Sequence, residues 1–100
     1  MAFAMNVGVC KVELRIPENM TLKGKRHVLK SIISQLKNKF NVSVAEVGDN
    51  ELWQSATLAV CMVSNDTRFT NEVLDKAVNL IVNGRFDVEI VNYDTEIISL

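Results

Sequence analysis

The chain is poor in the residues that mark catalysis, metal binding or covalent stapling. It holds one proline, one histidine, one tryptophan, two cysteines and four glycines in 100 residues. With His27 alone and no Cys-x-x-Cys or mixed Cys/His cluster, zinc-ligand spacing is absent. Cys10 and Cys61 stand apart inside apolar runs, which reads as two reduced core thiols. The sparse glycines form no GxSxG, GxxxxGK[ST] or GxGxxG, and there is no HExxH. No cofactor or metal is therefore expected, and no activity.

Long hydrophobic runs are missing as well. The longest, ATLAVCMV at residues 56–63, is far too short to span a bilayer. The opening MAFAMNVGV has no basic residues before its apolar part and runs into strand-like sequence, so it does not read as a secretory signal. Hydrophobic residues at 48% and charged ones at 23% exclude a disordered chain. One cytoplasmic domain covering residues 1–100 is expected.

Acid is the other local absence. Residues 19–45 contain Lys23, Lys25, Arg26, Lys30, Lys37 and Lys39 and no Asp or Glu, although the whole chain is at −1. The rest therefore carries all 12 acids against five bases. Such a split points to contact with an anion, or to a merely solvated helix face.

Periodicity orders the elements. Cys10, Val12, Leu14 and Ile16 alternate with Lys11, Glu13 and Arg15, a strand with one buried face that Pro17 ends. Val28, Leu29, Ile32, Ile33, Leu36 and Phe40 then recur at helical spacing. NVSVAEV, the turn residues GDNE and LWQSATLAVCMVS read as a hairpin whose return arm is apolar on both faces. SNDT offers caps for a second helix carrying Phe69, Val73, Leu74, Ala77, Val78 and Ile81, stopped by Asn83-Gly84. RFDVEIVNYDTEIISL supplies a last strand in which Phe86, Val88 and Ile90 alternate with Asp87 and Glu89.

The order β-α-β-β-α-β implies the α+β, ferredoxin-like arrangement, an antiparallel sheet with two helices on one face. Val7, Val9, Val91, Tyr93 and part of the third strand are then assigned to the opposite face, enough apolar surface to predict a homodimer or a bound partner. Trp53, at the start of the return arm, reads as a core lid, a partner anchor or a stacking platform. Glu46, Asp49 and Glu51 cluster around the hairpin turn as solvated carboxylates, with a metal site as the remote alternative.

Four blocks, VGVCKVELRIP, LKGKRHVLKSI, KFNVSVAEVG and LWQSA, resemble the YlxP-like family of small bacterial proteins, with the spacing between blocks intact over residues 7–66. The resemblance implies a ferredoxin-like fold and, from the genes beside its members, a setting near translation initiation and ribosome maturation. It brings no catalytic residue or ligand. Cys10 stands where most relatives carry an aliphatic residue.

Two functions from different classes follow. In the first, a non-enzymatic accessory protein contacts RNA or a ribosomal subunit through Lys23, Lys25, Arg26, Lys30 and Lys37. In the second, a dimeric scaffold domain without a nucleic-acid role binds partners through Trp53, Val7 and Val9. An acylphosphatase-like enzyme is the weakest option, because IPENMTLKGKR supplies Asn19 and Arg26 without a compact glycine-rich phosphate cradle.

Overall fold

The computed structural model describes residues 4–48 and 51–100. In chain order come β1 (Asn6–Arg15), α1 (Leu22–Lys39), β2 (Ser43–Val47), β3 (Ser55–Ser64), α2 (Thr67–Asn83) and β4 (Glu89–Ser99). The strands pair in the order β2-β3-β1-β4, and each neighbouring pair is antiparallel. This is the ferredoxin-like sheet implied by the element order. Among the described residues no helix is long and apolar enough to cross a membrane.

Alternation divides β1 cleanly. Cys10, Val12 and Leu14 are buried beneath the helices, and in register with them lie Val60, Leu58 and Ala56 of β3, also buried. From the helices come Leu29, Ile32 and Leu36 of α1 and Leu74, Ala77, Val78 and Ile81 of α2. Val7 and Val9 take the opposite face, half-buried, as expected.

Both helices start on capping side chains. The Thr21 hydroxyl accepts from Gly24 N at 2.9 Å, and Asp66 Oδ1 accepts from Arg68 N at 2.9 Å and Phe69 N at 3.3 Å. Phe69 falls in the first turn of α2 and is 52% exposed, so it is not part of the buried stripe. At the other end Gly84 has φ −73° and ψ 163°, extended backbone that ends the helix, and the Phe86 ring covers this glycine.

The last strand departs most from expectation. It begins at Glu89, and the half-buried Phe86 and Val88 pack on the core from an irregular lead-in. Tyr93 is in register with Val12, whose side chain faces the helices, so Tyr93 lies on the helix side of the sheet. Val91 falls at a bulge between the pairs Glu13–Asn92 and Leu14–Ile90. Tyr93 therefore does not belong to the open face, contrary to the sequence reading, because the bulge resets which side chains point where.

Cys10 and Cys61 are free thiols on opposite sheet faces, since Cys61 is in register with the outward Val9. Burial pushes the Cys10 thiol up, a hydrogen bond with Thr95 acts against this, and Asp75 and Asp94 push it further up. A raised folded value favours the neutral thiol in the native state. Its contribution is therefore full below the unfolded thiol's ~8.5 and is lost as pH rises through that value and the folded one. Iodoacetamide at mildly alkaline pH should accordingly modify Cys61 first and Cys10 only with unfolding, which mass spectrometry resolves.

Candidate nucleic-acid interface

Eighteen residues of α1 contain six lysines and arginines and no acid, whereas α2 mixes Arg68 and Lys76 with Glu72 and Asp75. Successive residues turn about 100° around a helix, so Lys23, Lys30 and Lys37 fall within a narrow sector and Arg26 lies at its edge. All four are exposed. Their row extends about 21 Å along the axis at the usual helical rise. Lys37 and Lys39 in the last turn complement the helix dipole, while Lys23 and Arg26 near the first turn oppose it.

Lys25 is not in the row. It points some 200° away from Lys23, on the side of Leu29, Ile32 and Leu36, and is 1% exposed. Its Nζ donates to the Leu52 carbonyl at 2.6 Å and lies 2.8 Å from Glu46 Oε2. The expected RNA contact is thus an internal tie between α1, β2 and the loop before β3. A helical signal for this was present, because Lys25, Leu29, Ile32 and Leu36 follow the i, i+4, i+7, i+11 pattern of a buried stripe. Glu46, assigned to a solvated turn or a metal site, is the partner of this lysine; Asp49 lies outside the described residues. No group of three potential metal ligands occurs among the described residues.

The same loop is held by more bonds. Asn19 Nδ2 donates to the carbonyls of Trp53 at 2.6 Å and Thr21 at 2.7 Å. Gln54 Nε2 donates to Asn19 O at 3.0 Å, and Ile16 N donates to Gln54 O at 2.8 Å. Main-chain oxygens of residues 52–54 are therefore captured, and the Trp53 side chain is left 52% exposed. It is no core lid. Its ring borders an open cleft of about 710 Å³ together with Met20, Leu52 and Val91. Asn19 and Arg26 are apart in role: the Asn19 amide is given to two carbonyls, and Arg26 lies on the outer helix face.

A short groove of about 340 Å³ between α1 and β2 is lined by Arg26, Lys30, Ile33 and Glu46, so the basic row borders one sheet edge. Among the described residues, the strands carry no aromatic side chain on the open sheet face. Its β1 residues are Val7, Val9, Lys11, Glu13 and Arg15, and those of β3 are Ser55, Thr57, Ala59, Cys61 and Val63.

Lys25 from LKGKR, Glu46 from NVSVAEV and Leu52 to Gln54 from LWQ bring three separated blocks of the sequence to one spot. A family profile described as "Protein of unknown function (DUF503)" matches residues 7–95. The chain belongs to the DUF503 family. It is 35% identical over 75 residues to "Uncharacterized protein YlxP" of Bacillus subtilis (strain 168), a stretch covering 75% of this chain and 82% of the relative. Among solved structures, the DUF503 chain is similar to the de novo designed protein Foldit4, with a TM-score of 0.50 and 16% identity over 95% of this chain and 96% of that one. A crystal structure described as a putative antibiotic biosynthesis monooxygenase from Bacillus cereus overlaps with a TM-score of 0.44 and 11% identity, over 96% and 92% of the two chains. The likeness to Foldit4 extends to the fold alone.

Proposed function

We propose that this DUF503 protein is a non-enzymatic, cytoplasmic accessory protein that binds structured RNA, such as that of a ribosomal subunit, through Lys23, Arg26, Lys30 and Lys37. The observation that carries this reading is an exposed helix face with four bases and no acid, beside a second helix whose charges are mixed. Lys and Arg in such a row meet phosphates, which position a protein on RNA without reading its sequence. The aromatic-free open sheet face argues against base stacking of the kind used by four-stranded RNA-recognition sheets, so shape and backbone contacts are the mode.

The test is co-sedimentation with ribosomal subunits and with free ribosomal RNA at low and high salt, using wild type and Lys23/Arg26/Lys30→Glu. Binding that is salt-sensitive and lost in the variant is expected. Retained binding by the variant, or none by wild type, contradicts the reading. Because all three side chains are exposed, the variant should keep its far-ultraviolet circular dichroism.

A second reading, a homodimer through the open face, is favoured by one cluster. Val7 is in register with both Val63 and Ile98, and Leu100 N donates to Met5 O at 2.8 Å beside them. Val63 is 63%, Ile98 42% and Leu100 67% exposed, a contiguous apolar end of the face. Analytical ultracentrifugation should show a dimer that Val7→Asp or Val9→Asp converts to monomer; a monomer at high concentration removes this reading.

A further inference from the structure

The two edges of the sheet are unlike. β2 is five residues long and borders the basic groove, whereas β4 is eleven residues long and, among the described residues, pairs only through its β1 side. Long edge strands are normally guarded by charged side chains, lysine above all, by proline, bulges or shortness, or by a covering element, and β4 has a bulge and the acids Asp94 and Glu96. Residues 89–99 hold no lysine and no proline. The bulge at Val91 interrupts the edge near its start and leaves a regular run from Asn92 to Ser99.

The direction of the free backbone groups follows from one bond. Leu100 N donates inward to Met5 O. Strand alternation then turns the N–H groups of Thr95 and Ile97 outward, away from β1. Side chains alternate too, and Asp94 and Glu96 point to the open face while Tyr93, Thr95 and Ile97 point to the helix side. Tyr93 is 51% exposed, so a neighbouring strand would cover it.

We propose that the outer edge of β4 accepts an extended segment of a partner protein as a fifth strand, one that alternates Lys or Arg with β-branched or aromatic side chains. The basic residues would stand opposite Asp94 and Glu96, and the apolar ones beside Tyr93, Thr95 and Ile97. A second copy is the poorer occupant. Two-fold antiparallel pairing of β4 centred on Asp94 or Thr95 sets Asp94 against itself or against Glu96, a like-charge arrangement. The site lies on the other sheet edge from the basic row of α1 and does not depend on RNA binding.

Capped peptides alternating Lys with Val and Thr, and their counterparts with Glu in place of Lys, test the proposal on the full chain. The Lys peptide should bind and protect the Thr95 and Ile97 amides from hydrogen exchange. Asp94→Lys/Glu96→Lys, an exposed pair, should weaken the Lys peptide by about tenfold and make the Glu peptide the better ligand. Thr95→Pro, which removes an outward donor, should weaken both peptides. Equal binding of the two peptides to wild type, no binding of either, peptide-induced shifts that spare β4, or β4 protection caused by self-association without peptide would each overturn it.

Discussion

Lys25→Met should lower unfolding stability by about 3 kcal/mol. Methionine fills much of the lysine stem's volume, so the loss is electrostatic rather than a cavity. The Glu46 side chain, 18% exposed, is left without its cation, and the Leu52 carbonyl loses its 2.6 Å donor. For a domain whose whole stability is on the order of 5–15 kcal/mol, that is a substantial fraction. Urea unfolding gives the number, and Trp53 gives the location: freeing the Leu52 carbonyl should raise the mobility of Trp53 in fluorescence anisotropy before global unfolding begins. Lys25→Met/Glu46→Leu should recover about half the loss, because replacing both partners of a buried pair removes the orphaned charge. An unchanged midpoint in Lys25→Met would show that the tie contributes nothing.

Gly8→Val should cost about 3 kcal/mol although valine is the better strand former. Gly8 lies on the helix-facing side of β1 directly under α2. A Cβ at this position would collide with Thr70 Cγ2 and come within 2.9 Å of Leu74 Cδ1. Thr70 cannot swing aside freely, because it is fully buried and its hydroxyl shares a 2.6 Å hydrogen bond with Ser64. The close approach of strand and helix is thus what glycine serves here, not an unusual backbone angle. Thr70→Ser keeps the hydroxyl and removes the colliding methyl, so Gly8→Ala should be milder in that background than in wild type. Equal costs in both backgrounds would remove the steric explanation.

The order of elements was legible because each has a clean period: alternation through Cys10, Val12 and Leu14, and the three-to-four spacing through Leu29, Ile32 and Leu36. Where period failed, so did placement. Phe86 and Val88 alternate with acids as a strand does, yet no neighbouring strand extends far enough to pair them, and they pack as loop residues. Tyr93 was assigned to the wrong face because a one-residue bulge reverses the parity of everything beyond it, and nothing local in IVNYD marks the bulge.

The basic row was legible in Lys23, Arg26, Lys30 and Lys37 by angle alone. Lys25 was grouped with them by charge, whereas helical geometry placed it opposite. Its acidic partner comes from β2 and its carbonyl partner from the loop before β3, and contacts across such sequence distances leave no periodic trace. Trp53 shows the same limit: its exposure follows from Asn19 and Lys25 holding the loop's carbonyls, a matter of three distant segments.

The most direct test of an RNA-facing α1 is the salt dependence of binding to a structured RNA, measured for wild type, Lys37→Gln and Lys23→Gln/Lys37→Gln. With four contacts the slope of log affinity against log salt should be roughly −3 to −4 and should shrink by nearly one unit for each lysine removed. A slope that stays the same when these lysines are removed would contradict it, and α1 would then be a solvated face.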